Sequence, residues 1–223
     1  CSQSAVEENR LDSPTYKRTS FAVALTLLGV CGFKIYRLSQ GLVMNDLGIW
    51  LNSVIQLLPT VAFIKLYGMS TMQDIIPGFI SGVTSLFQPD NINAAIYSVL
   101  SVGTMAYALV AMISPTSLAS FMLSQPVDAF AKLLIQDLGA MTFLLSIALF
   151  TLKDAADRGR LGFTTFKNLN IAAFLAAAAK IGTSIYVAGS AGDPTKIVTQ
   201  NAYILLIAVY GSLALVSGYN ALM

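Results

Sequence analysis

Residues 92–114 read INAAIYSVLSVGTMAYALVAMIS, a run without one charged side chain. About 20 mainly apolar residues cover the roughly 30 Å hydrocarbon core of a bilayer when wound as a helix. Inside lipid no water satisfies backbone N–H and C=O groups, so such a run must close its own hydrogen bonds. Ile92–Ser114 therefore predicts a transmembrane helix, and with it an all-α integral membrane protein.

Three further stretches satisfy the same test. Val127–Leu152 is uncharged from Leu138 onward and carries Asp128, Lys132 and Asp137 in its first half. Asn168–Gly189 is alanine-rich with one charge, Lys180, and Ile197–Met223 is uncharged to the last residue. Two weaker candidates precede them. Ser20–Leu38 meets Lys34 and Arg37 near its end, where long basic side chains can snorkel to an interface. Leu42–Lys65 is apolar but contains Asn45, Asp46, Asn52, Gln56 and Pro59. Ile75–Phe87 is short, holds Pro77, Gly78 and Gly82, and reads as re-entrant or interfacial. The expectation is a bundle of about six transmembrane helices with one short non-crossing segment.

Composition agrees. Of 223 residues, 56% are hydrophobic and 11% charged, against about 25% charged in a soluble domain. That excludes a typical cytosolic enzyme and a disordered tail. The net charge of +2, without a basic block, leaves no footprint for nucleic acid.

Basic residues set the orientation. With six spans, Arg10, Lys17, Arg18, Lys65, Lys153, Arg158, Arg160 and Lys167 fall on the side of both termini, and Lys34, Arg37 and Lys196 on the other. This asymmetry favours six spans over seven, with both ends on the cytoplasmic or stromal side. Residues 1–19 form a polar tail, 20–114 a first helical half and 115–223 a second. Two stretches repeat in order between the halves. Asn45-Asp46-Leu47-Gly48 answers Gln136-Asp137-Leu138-Gly139, and Gly68–Asp74 answers Gly162–Asn168. The collinear order points to an old duplication. Internal repeats suit a secondary transporter with its site between them, and equally a bundle that only grew larger.

Ionisable groups inside a membrane are functional candidates by default. Asp46 and Asp137 lead, since they match in the repeat; the structural alternative is that each lies near a helix N-terminus, where the dipole favours an acid. Asp128 and Lys132, four apart, can pair. Lys180, near the centre of its run, can bridge to Asp137, bind a lipid or cofactor carboxylate, or snorkel. Trp50, Tyr67, Tyr97, Tyr107, Tyr203, Tyr210 and Tyr219 are candidates for interfacial belts or for contacts with flat ligands. The alanines of Ala172–Ala179, with Gly29, Gly32, Gly211 and Gly218, offer close helix packing.

Histidine is absent, which removes the commonest general base and metal ligand. Cys1 and Cys31 form no CxxC pair. There is no GxSxG, HExxH, Walker or dinucleotide-binding pattern. The start at Cys1 suggests an imported organellar protein after processing, a lipidated N-terminus or a trimmed chain.

Ser117–Phe150 resembles small four-span membrane families, in which a Pro-containing loop leads into a helix with a polar-x-Gly-small-x-x-x-Leu pattern, here Asp137 to Leu144. That likeness implies a helical bundle and no activity. Glu7-Glu8-Asn9-Arg10 lacks the Glu-x-x-His/Asn-x-Arg spacing of chlorophyll a/b antenna proteins. The expected function is a non-enzymatic accessory subunit of a larger membrane complex, most specifically a thylakoid photosystem–antenna assembly in a chloroplast. It would touch membrane lipids and other subunits, with chlorophyll, carotenoid or lipid at its surface. Polar ligand candidates are Asn45, Asp46, Gln56, Gln136, Asp137, Lys180, Gln200 and Asn201. The alternative is a transporter for an ion or small solute.

Overall fold

The computed structural model describes residues 14–39, 47–67, 77, 83–124, 126–190 and 198–222. These residues are helical and contain no sheet, only an isolated antiparallel bridge between Leu123 and Val198. The helices are α1 (Pro14–Ser39), α2 (Leu47–Tyr67), α3 (Ile92–Ile113), α4 (Pro115–Met122), α5 (Ala129–Asp157), α6 (Thr164–Ser190) and α7 (Gln200–Leu222). Each stretch predicted to span coincides with a long helix. Among the described residues, four of them, α3, α5, α6 and α7, are long and apolar enough to cross a membrane. Among the described residues of α1, the apolar stretch is Thr19–Gly32.

The chain divides into two compact units, one holding α1 and α2, the other α3 to α7. In the first, Ala24 and Phe63 are buried together with Phe21 against them. The Phe21 and Phe63 rings lie tilted with centroids 5.7 Å apart. Thr60 Oγ1 on α2 donates to the Ala24 carbonyl on α1 at 3.0 Å. The re-entrant candidate Ile75–Phe87 falls largely outside the described residues, as do Asn45, Asp46 and the first copy of the Gly68–Asp74 repeat.

In the second unit the helix ends follow from local sequence. Asn91 caps α3, its Oδ1 accepting from the Ala94 N–H at 2.9 Å. Asp128 caps α5 in the same way, accepting from Ala131 at 2.7 Å. Asp128 therefore caps a helix, and among the described residues no ion pair joins it to Lys132. Asp137 is the ninth residue of α5 and lies two turns in, so the expectation that it sits at a helix N-terminus is corrected. Ser114-Pro115 ends α3 and starts α4, because proline fits the first turn of a helix where no N–H is needed. The α5 terminus closes with Gly159 at φ +63, Arg160 N–H on the Ala155 carbonyl and Gly159 N–H on that of Ala156. This paired closure needs a left-handed residue, which glycine supplies without a Cβ clash.

The α3–α5 crossing is the tightest. A Cβ added to Gly139 on α5 would lie 2.7 Å from Ala111 Cβ and 3.1 Å from the Ala108 carbonyl, both on α3. Without a hydrophobic drive inside lipid, small residues at a crossing are what let two backbones approach. Gln136, one turn before Gly139, donates from Nε2 to the Met112 carbonyl at 2.8 Å. Ser101 Oγ on α3 donates to the Ser146 carbonyl on α5 at 2.9 Å. A core of Tyr97, Leu100, Leu149, Leu152, Ala173, Ala177 and Leu213 joins all four long helices. On α6, Ala173 and Ala177 are buried while Ala172, Ala176, Ala178 and Ala179 are exposed, so one helical face of the alanine run packs. Gly218 on α7 closes on the Phe174 ring of α6, whose nearest atom would lie 3.3 Å from an added Cβ. Gly29, Gly32 and Gly211 have open space where a side chain would stand.

Candidate functional site: a lysine between two apolar cavities

The four long helices of the second unit have two different ends. At the end carrying Asp157, polar groups bind one another. Tyr97 OH donates to Asn170 Oδ1 at 2.6 Å, and Asn220 Nδ2 donates to Tyr97 OH at 3.0 Å and to the Val216 carbonyl at 3.0 Å. This joins α3, α6 and α7 through three buried side chains. Tyr97 is therefore a core hub, which corrects its reading as an interfacial belt residue. Tyr219 is more than half exposed near the end of α7.

Nearer the helix ends, the ammonium of Lys153, 1% exposed, pairs with Asp157 Oδ2 at 2.6 Å. Asp157 Oδ1 accepts from the Asp90 N–H at 3.1 Å, and Asn91 Nδ2 donates to the Ala156 carbonyl at 2.8 Å. Arg158 pairs with Asp154 at 2.9 Å. A buried charge with a carboxylate one turn along its own helix is neutralised in place, and the cluster latches α3 onto α5.

The opposite end is capped by α4. Thr199, just before α7, donates its N–H to the Met122 carbonyl at 2.8 Å and its hydroxyl to the Phe121 carbonyl at 2.7 Å. Beneath α4 lie two neighbouring cavities of about 220 and 310 Å³. The smaller one reaches Leu123, Ile135, Val198 and Tyr203. The larger one runs to Gly103, Thr142, Val209 and Tyr210. Tyr107, Leu118, Met122, Lys180 and Leu206 line both. The larger stands at the lower edge of the roughly 300–1,000 Å³ typical of ligand pockets.

Lys180 is the seventeenth of the 27 residues of α6, about 15 Å along the axis from Ser190. Among the described residues no carboxylate pairs with its ammonium, and neither cavity is lined by Asp or Glu. The bridge to Asp137 that the sequence suggested does not form. The hydroxyls beside Lys180 are turned to the backbone: Thr183 donates to the Ala179 carbonyl and Ser184 to that of Lys180, both at 2.8 Å.

The other predicted site residues do not gather here. Asn45 and Asp46 lie outside the described residues, as does the side chain of Gln56 on α2. Gln136 is buried in the α3–α5 join, where its Nε2 serves packing and its Oε1 has no hydrogen-bond partner among the described residues. Asp137 is half-buried on α5. Gln200 and Asn201 are exposed at the start of α7. No group of three or more Cys, Asp or Glu side chains able to hold a metal occurs among the described residues. Asn170 and Asn220 carry the polar hub and were missed in the sequence. Their signal was present: each is an amide inside an otherwise apolar run, and an amide in lipid needs a partner.

No protein-family model, curated protein or solved structure matches this chain. Its four spanning-length helices and the geometry around Lys180 carry what can be read of its function.

Proposed function

We infer that this chain is a non-enzymatic subunit of a larger membrane assembly, contributing helix packing and pigment or lipid contacts at its surface. The observation that carries the reading is the uneven burial of its spans. The apolar windows of α3 and α5 are 39% buried within the chain, those of α6 and α7 only 17%. Ile171, Leu175 and Ile185 on α6, and Ile204, Leu205 and Leu215 on α7, leave broad apolar faces outward. On this reading neighbouring subunits and their lipids cover those faces.

The six-span arrangement with both termini on one side belongs to the same proposal. It is supported by α2, which exposes Leu51, Val54, Ile55, Leu58 and Val61 as one continuous apolar face. An exposed apolar face of that length marks a surface met by lipid or by a partner. The finer placement in a thylakoid photosystem–antenna complex, with pigment at the surface, rests on composition alone.

Gentle solubilisation, native-gel separation, an absorption spectrum of the band and mass spectrometry of its contents test the proposal. A large band with co-migrating membrane subunits is expected, and pigment in it would place the chain in a photosynthetic complex. A small colourless band without partners overturns the subunit reading and makes transport the hypothesis to test. Tags inserted after Asp90 and after Asp157 should face the same side of the membrane; opposite faces overturn the six-span topology.

A further inference from the structure

We propose that the paired cavities beneath α4 bind a single-chain amphiphile with a carboxylate head, the carboxylate on Lys180 and the chain in the larger cavity. Three observations converge on this occupant. A cation held inside a spanning helix is costly unless it is paired or reaches water, yet Lys180 has no carboxylate partner among the described residues. The walls around it are apolar, formed by Leu118, Met122, Leu206 and Val209, which suits a hydrocarbon chain and not a hydrated ion. The charge lies on the wall shared by both cavities, so a head held there can feed its chain toward Gly103 and Tyr210.

Charge complementarity selects the head. Neither cavity supplies an acid, so a neutral or cationic ligand would leave the ammonium uncompensated in lipid, whereas a carboxylate brings its own counter-charge. A charge-assisted hydrogen bond of this kind is about twice as strong as a neutral one. Tyr107, on the same shared wall, can donate a second. Volume selects the tail: a space of about 310 Å³ takes one acyl or isoprenoid chain and not a chlorin ring system. Lys153 shows the contrast within the same unit, since its charge is already met by Asp157.

The inference stands on the geometry of α3 to α7 and not on the subunit reading. A partnerless protein that still binds an acid would sink the latter and leave the former intact.

The test uses the full chain in phosphatidylcholine nanodiscs and a diazirine-bearing palmitic acid, with its methyl ester as the uncharged control. The acid should label peptides of α4, α6 and α7 around Lys180 and be displaced by unlabelled palmitate. Lys180→Leu should cut acid labelling at least tenfold, Lys180→Arg should retain most of it, and the ester should label all three proteins weakly and equally. Leu206→Trp, which fills the shared wall, should remove labelling by the acid while Lys180 is still present. Equal labelling by acid and ester, or unchanged labelling of Lys180→Leu, overturns the proposal. Displacement by phosphatidylglycerol but not by palmitate also overturns it, since the occupant would then be a phosphate-headed lipid. If Leu206→Trp fails to fold, the acid–ester difference across the two Lys180 variants decides the matter alone.

Discussion

Two of the lysines on the spanning helices of the second unit, Lys153 and Lys180, have opposite surroundings. Lys153 is buried beside Asp157, which also receives the Asp90 N–H, at an end where Asn91 caps α3 and reaches across to the Ala156 carbonyl. Lys180 borders two cavities without an acidic wall. The first cation holds helices together. The second has no carboxylate partner among the described residues, and that is what makes it a candidate for chemistry. Presence of a charge in a span is therefore weak information; the location of its counter-charge separates architecture from site.

The comparison can be broken by substitution, and the largest effect belongs to the latched end. Asp157→Ala leaves the Lys153 ammonium buried without its carboxylate, and breaking such a pair costs about 3–5 kcal/mol. Reversible unfolding in mixed micelles should show the loss, and restoration by the double variant Lys153→Met, Asp157→Ala would confirm its origin. A loss well below 1 kcal/mol for the single variant would mean that water reaches Lys153.

Gly139→Ala comes next. The added methyl meets Ala111 at 2.7 Å, and overpacking of this kind costs about 1–3 kcal/mol. Gly211→Ala, made where a side chain meets nothing within 4 Å, should hold stability or raise it by up to about 1 kcal/mol through helix propensity alone, and the opposite sign at Gly139 isolates the crossing.

Tyr97→Phe removes the hub that receives from Asn220 and donates to Asn170. Hydrogen bonds between membrane helices average about 0.6 kcal/mol with an upper value near 1.7, so a loss of about 1 kcal/mol is expected by the same measurement. The smallest effect belongs to the open end. Lys180→Leu removes a charge without a partner, so stability should hold or rise slightly, within about 0.5 kcal/mol of wild type. A loss comparable to that of Asp157→Ala would show that Lys180 has a structural partner and erase the contrast.

How much of this was legible beforehand varies by element. Ile92–Ser114 declared itself because an uncharged run of that length has few other stable states in lipid. The remaining long helices follow from the same reading, although α5 runs on to Asp157, past the predicted limit at Leu152. Its last turn is amphipathic, with Leu152, Ala155 and Ala156 buried, and hydropathy windows lose such a turn once Lys153 and Asp154 enter them. The short helix α4 was missed although Ser114-Pro115 marks its start, because eight residues are too few to carry a periodic signal.

The sequence by itself determined the solvent and the secondary structure: an apolar, charge-poor chain must satisfy its backbone internally, and helices are the local way to do so. It also named Lys180 as an anomaly. Only the tertiary structure decided which polar groups meet. Asp137 and Lys180 do not pair, Gln136 is drawn into the α3–α5 join by Met112, and Tyr97 finds Asn170 and Asn220 across α6 and α7. The physical reason is that periodicity fixes which residues share a face of one helix, while the rotation and crossing of helices against each other depend on steric fit at positions such as Gly139 and Ala111. A cavity is what that fit leaves unfilled, and no single segment encodes it.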